Sequence, residues 1–355
     1  MSGSNFSRRG LLIGSSALVA GSTFSTRVLS AAPPASAITP ALIEAAKKEG
    51  KVIWYTSVDL PLAERIAKAF QAKYPDVACR VERSGAERVF QRIGQEYGSN
   101  IHAVDVVNSS DAAHLIVWKN KGWLAPYVPE DVAKHFPPEH KDSDGTFASF
   151  RVFLCPMGYN TNLVKAEDAP KSYADLLSPK WTGKIVKAHP SYSGTILTAT
   201  FQISRDLGWE YFDKLAKQNV MQVQSATDPP KKLALGERAV MADGIEYGMF
   251  QLKEKNNPVE IIYPSEGTPL IVGPNAIFKD APNPNAARLL QSYMFSAECQ
   301  QLAIDHGGLR SAHALTKEKA GRKPMSQIKL MKDDAAAVEK MSGDIKARYT
   351  QIFKV

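Results

Sequence analysis

Short turns of serine, threonine and glycine recur where this chain passes from an extended run into a helical one. The chemistry they suit is anion binding. Ser84-Gly85 follows a β-prone run over residues 77–82 and precedes Val89, Phe90, Ile93 and Tyr97, apolar residues at helical spacing. The first N–H groups of a helix have no intrahelical partner, so small residues in front of them let an acid group reach backbone donors. Ser193-Gly194-Thr195 repeats the pattern before a helix that starts at Ile196, and Tyr55-Thr56-Ser57 and Ser109-Ser110 close two further strands. As ligand-binding candidates these turns give Tyr55, Ser57, Ser84, Gly85, Ser109, Ser110, Ser193, Gly194 and Thr195. Asp243 and Tyr247, at the end of a strand over 239–244, are expected on the facing rim. The plain alternative makes each hydroxyl a helix cap, Ser84 included, worth ~1 kcal/mol of stability and no affinity.

These turns need strands and helices in strict alternation behind them. Residues 51–57, 77–82 and 103–107 read as strands, and 62–74, the stretch after Gly85 and the stretch after Asp111 read as helices. The pattern repeats with strands at 181–188, 220–224, 239–244 and 259–263 and helices at 196–207 and 231–235. Such alternation predicts α/β folding in doubly wound parallel sheets, with ligands beyond the carboxyl ends of the strands. Two β-prone runs, 147–161 and 267–278, exceed an ordinary strand and are expected to cross between lobes. That divides the chain into lobe 1 (38–148 plus 273–355, with the C-terminal helices packed on it) and lobe 2 (149–272).

Ahead of both lobes, Ser7-Arg8-Arg9-Gly10-Leu11-Leu12-Ile13, an apolar small-residue run and Ala35-Ser36-Ala37 form a twin-arginine-type signal peptide over 1–37, which implies a periplasmic protein. Of the formal charge of +8, Arg8, Arg9 and Arg27 supply three and residues 1–37 hold no acid, so the mature chain carries +5. That spread-out surplus suits an acidic ligand and argues against nucleic acid. Cys79, Cys155 and Cys299 have no zinc spacing and read as small core residues. Ser193 with His189 nearby offers a hydrolase reading, but no G-x-S-x-G elbow surrounds the serine, so the chain is expected not to be an enzyme.

Lys51-Val52-Ile53-Trp54-Tyr55-Thr56-Ser57, Ser84-Gly85, Met157-Gly158-Tyr159-Asn160-Thr161-Asn162, Ser193-Gly194-Thr195 and Ala281-Pro282-Asn283-Pro284-Asn285-Ala286-Ala287 fall in an order that resembles the periplasmic solute-binding proteins of ABC importers. The likeness is to the ferric-ion-binding-like branch of the type 2 group, and Ser296-Ala297-Glu298-Cys299-Gln300 is similar to that branch's Ser-Pro-Glu-Gly-Gln pattern. The resemblance implies two α/β lobes joined by two β-strand crossings, a small anionic ligand held between them, an inner-membrane ABC permease as partner, a monomeric state and no cofactor. Ferric members of the branch use a His or Tyr after the first strand and a Tyr-Tyr pair in the second lobe. Here Ser57-Val58-Asp59-Leu60 and Gly244-Ile245-Glu246-Tyr247-Gly248 depart from that pattern. The cargo expected is therefore a phosphonate, a phosphorylated compound or a carboxylate. The alternative is Fe3+ held by Asp59, Asp243, Glu246 and Tyr247.

Overall fold

A computed structural model describes residues 31–355, so the signal-peptide reading lies almost wholly outside the described residues. Among the described residues no helix is long and apolar enough to cross a membrane.

The first sheet is built from β1 (Lys51–Thr56), β2 (Ala78–Arg83), β3 (Val106–Asn108), β4 (Leu124–Ala125) and β5 (Phe147–Leu154). The second holds β6 (Met157–Asn160), β7 (Ile185–Ala188), β8 (Met221–Val223), β9 (Val240–Met241) and β10 (Val259–Ile262), after which β11 (Leu270–Phe278) returns to the first. Strand order is β2-β1-β3-β11-β4 with β5 on β11 in the first sheet, and β10-β6-β9-β7-β8 in the second. β1 lies between two neighbours with both faces covered: Val52 and Trp54 enter one core layer and Tyr55 the other, which is why its sequence is apolar nearly throughout.

The helices come in the expected alternation. In the first half these are α1 (Pro40–Glu49), α2 (Leu60–Lys73), α3 (Ala86–Gly98), α4 (Ala112–Asn120) and α5 (Glu130–His135). They are followed by α6 (Gly194–Leu207), α7 (Trp209–Ala216), α8 (Asp228–Ala234), α9 (Glu246–Glu254), α10 (Pro284–Phe295), α11 (Ala297–Gly307) and α12 (Ala335–Phe353). Pairing along β2-β1-β3 and β8-β7-β9 is parallel, as the alternation requires. Both sheets are mixed, however, because β11 runs antiparallel to β3, β4 and β5, and β6 antiparallel to β9 and β10.

The run at 147–161 is two strands rather than one. It breaks at Cys155-Pro156, where proline offers no N–H to a ladder, and its halves pair in different sheets. The tail differs too. Val338 and Ile345 of α12 share an apolar cluster with Ala113 of α4 and with Leu197 and Phe201 of α6. Tyr349 packs with Phe212 in the core of the second sheet. The last helix thus spans both sheets' layers instead of resting on the first lobe alone. The three cysteines are buried and free.

Candidate functional site

Where the parallel strands end, the starts of α3, α4 and α6 face one another. Gly85, Ala86 and Glu87 of α3, Ser110 before α4, and Ser193 and Thr195 of α6 line one chamber of 280 Å³. These helices run 13, 9 and 14 residues, long enough for each to present a positive dipole end and unpaired N–H groups there. Gly85 is itself the cap of α3, in extended backbone with no side-chain bond. Asp111 caps α4 by accepting from Ala113 N at 2.9 Å, and Ser193 caps α6 by accepting from Ile196 N at 3.4 Å.

Arg151, in the middle of β5, reaches into this chamber. It is 2 % exposed and donates from Nη2 to Ser57 Oγ at 2.7 Å, while its Nε has no partner. The guanidinium lies 4.6 Å from the Phe153 ring centroid. Among the described residues no carboxylate stands within ion-pair distance of it. Burial lowers its pKa to about 10, which still leaves it charged at neutral pH. Room for the side chain comes from Gly273, directly across the ladder, where an added Cβ would meet Arg151 Cγ at 2.9 Å.

A larger chamber of 810 Å³ adjoins the first, sharing Arg83, Arg151, Ser225 and Tyr247 with it. Arg83, at the end of β2, donates from Nε to Val58 O at 3.4 Å and faces Asp59 at 3.8 Å. Tyr247 is buried, and burial followed by the charge of Asp59 raises its pKa well above the ordinary value, so the phenol keeps its proton. Gln251 and His306 also line the larger chamber.

Of the residues expected from sequence, Ser57, Gly85, Ser110, Ser193, Thr195 and Tyr247 come together in the small chamber. The others do not line it. The Tyr55 hydroxyl turns under α3 to Glu96 at 3.0 Å, because its strand position faces the sheet's other layer. Ser84 continues the ladder with its amide on Thr56 O, and its capping position belongs to Gly85. Ser109 Oγ is engaged by His114 Nδ1 at 2.8 Å. Gly194 backs onto Asp111. Asp243 is buried against Lys187 Nζ at 2.5 Å and is no rim residue.

The iron set is split in the same way. Asp59 and Tyr247 line the large chamber, but Asp243 is held by Lys187. Glu246 accepts from Arg310 Nε and Nη2 and from Tyr263 at 2.6–2.9 Å. The hydrolase pair is not assembled either. His189 Nδ1 accepts Ser191 N at 3.0 Å, burial and then the charge of Lys187 lower its pKa to about 4, and Ser193 Oγ is the α6 cap. Arg83, Glu87, Arg151 and Gln224 are among the lining residues that sequence reading left out, and a lone arginine inside an apolar strand run was the available signal for Arg151.

Residues 104–329 match the family described as bacterial extracellular solute-binding protein. The chain belongs to that family. A probable ABC transporter periplasmic-binding protein of Sinorhizobium fredii is 23% identical over 65% of this chain and 66% of its own length. AfuA of Actinobacillus pleuropneumoniae, a periplasmic binding protein solved with fructose-6-phosphate bound, superposes with a TM-score of 0.80 at 24% identity, over 86% of this chain and 99% of that one. Iron-bound HitA of Pseudomonas aeruginosa gives 0.75 at 21% identity, over 85% and 99%. The type 2 two-lobed binding-protein fold and the likeness to solute-binding proteins of ABC importers, both expected from the order of motifs, are confirmed. The family's members are transport proteins rather than enzymes.

Proposed function

We propose that this solute-binding protein captures a small organic acid, with phosphorylated sugars as the preferred class, in the cleft made by the two chambers, and delivers it to an inner-membrane ABC permease. The observation that carries this reading is Arg151, a buried guanidinium with a free Nε, no carboxylate partner among the described residues and three helix starts around it. A charge taken out of water without a partner is costly, so the site is built for an anion that arrives with the ligand. The adjoining 810 Å³ chamber, lined by Asp59, Gln251 and His306, offers acceptors and donors to the rest of a polyhydroxylated cargo. The fructose-6-phosphate carried by the related AfuA supports the same class.

Export by the twin-arginine-type signal over 1–37, action as a monomer, and lobes of 38–148 plus 273–355 and 149–272 that close by a hinge, with α12 packed on both, belong to the same proposal. Thermal unfolding with a panel of sugar phosphates, phosphonates, dicarboxylates and ferric citrate tests it. A cargo at a hundredfold its Kd adds about 2.7 kcal/mol of stability. The acidic organic compounds should raise the melting temperature. A shift confined to ferric citrate, or to neutral sugars, would refute the reading.

A further inference from the structure

The chamber around Arg151 also contains a carboxylate. Glu87, in the first turn of α3, lines it while being only 5 % exposed. Its Oε1 accepts from His114 Nε2 at 3.2 Å and its Oε2 from Lys346 Nζ of α12 at 2.8 Å. His114 is fixed in turn: Phe90 stacks on it with ring centroids 4.4 Å apart, and Ser109 Oγ, which accepts Asp111 N at 3.2 Å, meets Nδ1 at 2.8 Å. Burial by itself would raise the Glu87 pKa, but the hydrogen bond and charge of His114, with those of Lys346, outweigh it and lower the value to about 2. An ionised carboxylate accepts hydrogen bonds and donates none, and its two oxygens together have room for about four. Two are used.

We propose that Glu87 is a specificity residue that admits only anions carrying a hydroxyl proton to donate to it, either on the acid group itself or on a carbon beside it, and that it rejects aprotic oxyanions such as sulfate. This rests on the reading of the cleft as an anion site. Against Arg151 alone, hydrogen phosphate and sulfate are close equivalents in shape and charge. Against Glu87 they are not, because sulfate brings only lone pairs to a carboxylate that brings only lone pairs, in a buried place where repulsion is weakly screened. Asp111 is a second acid close to it. Glu87, Asp111 and His114 each bring a ligand atom within 4.8 Å of the others, but the Lys346 ammonium already supplies the positive charge that a metal ion would bring there.

Calorimetric titration of the full mature protein at pH 7.5 with inorganic phosphate, sulfate, methyl phosphate and glycerol 3-phosphate tests this, using wild type and Glu87→Gln. Glutamine keeps the size and adds a donor. Wild type should prefer phosphate to sulfate, and the substitution should shrink that preference by about tenfold or more, mainly by letting sulfate in. The esters separate the two sources of the proton. Glycerol 3-phosphate well above methyl phosphate assigns it to the carbon hydroxyl, and equal binding of the two with phosphate above both assigns it to the acid group. Sulfate binding as tightly as phosphate to wild type overturns the inference without any variant, as does an unchanged preference in Glu87→Gln. If wild type binds none of the phosphate compounds, this inference falls, while the reading of the cleft as an organic-acid site stands or falls separately on the thermal-unfolding panel.

Discussion

Gly194, the first residue of α6, faces Asp111, the cap of α4, so closely that an added Cβ would lie 2.6 Å from Asp111 Cβ. Gly194 follows β7 of the second sheet, and Asp111 follows β3 of the first. Glycine here permits two helix starts to meet over the Arg151 chamber. A valine cannot fit without moving one start away from the other, so Gly194→Val should hold the cleft open. Small-angle scattering should then show the wild type contracting on saturation with cargo and the variant failing to contract. An equal contraction of both proteins would show that the contact does not limit closure.

Arg151→Met should separate affinity from stability. The variant removes a charge-assisted hydrogen bond to an anionic cargo, worth ~1.5–3 kcal/mol, or roughly ten- to a hundredfold in affinity. It also removes a buried cation that has no counter-ion among the described residues, so its unliganded melting temperature should match or exceed the wild type's. Titration calorimetry and unfolding of the same samples read both quantities. Unchanged affinity would dismiss Arg151 as the anchor.

For Tyr247 the ring and the hydroxyl have different work. The ring packs in the core near Phe153, while the residue lines both chambers beside Asp59. Tyr247→Phe should weaken cargo binding about fivefold, near 1 kcal/mol, with little change in melting temperature. Lower stability with full affinity would make it a core residue only.

Asp333, just ahead of α12, has its carboxyl pKa raised to about 7 by burial and then by the charge of Asp111. In the unfolded chain it ionises near its ordinary 3.8, so between these values the folded state binds more protons than the unfolded one. The stability it contributes is present below pH 4 and lost as pH rises through 7. Asp333→Asn should therefore raise the melting temperature at pH 8 and have little effect at pH 4. Equal effects at both values would mean that the carboxyl does not titrate across this window.

Much of the framework was legible because its signals are local. A strand followed by a small-residue turn and a helical apolar pattern needs only some twenty residues of context, and those turns carry Ser57, Gly85, Ser110, Ser193 and Thr195 into one chamber. Residues whose roles depend on distant partners were not legible. Arg151 needs the space left by Gly273 on a strand far along the chain. Asp243 reads as a rim residue from sequence but is held by Lys187, and Glu246, a candidate only for iron, is held by Arg310, 64 residues on. The tail misled for a related reason: α12 has sparse apolar positions, and only the fold shows that Ile345 and Tyr349 serve different layers.

Native mass spectrometry of the protein purified from its own cells tests the central claim most directly, because a ligand held in a closed cleft reports its own mass. The account predicts a colourless complex that releases one small phosphorylated or carboxylic acid per chain, and loss of that added mass in Arg151→Met. A red protein carrying iron, or a neutral or cationic solute retained in the Arg151→Met variant, would contradict it.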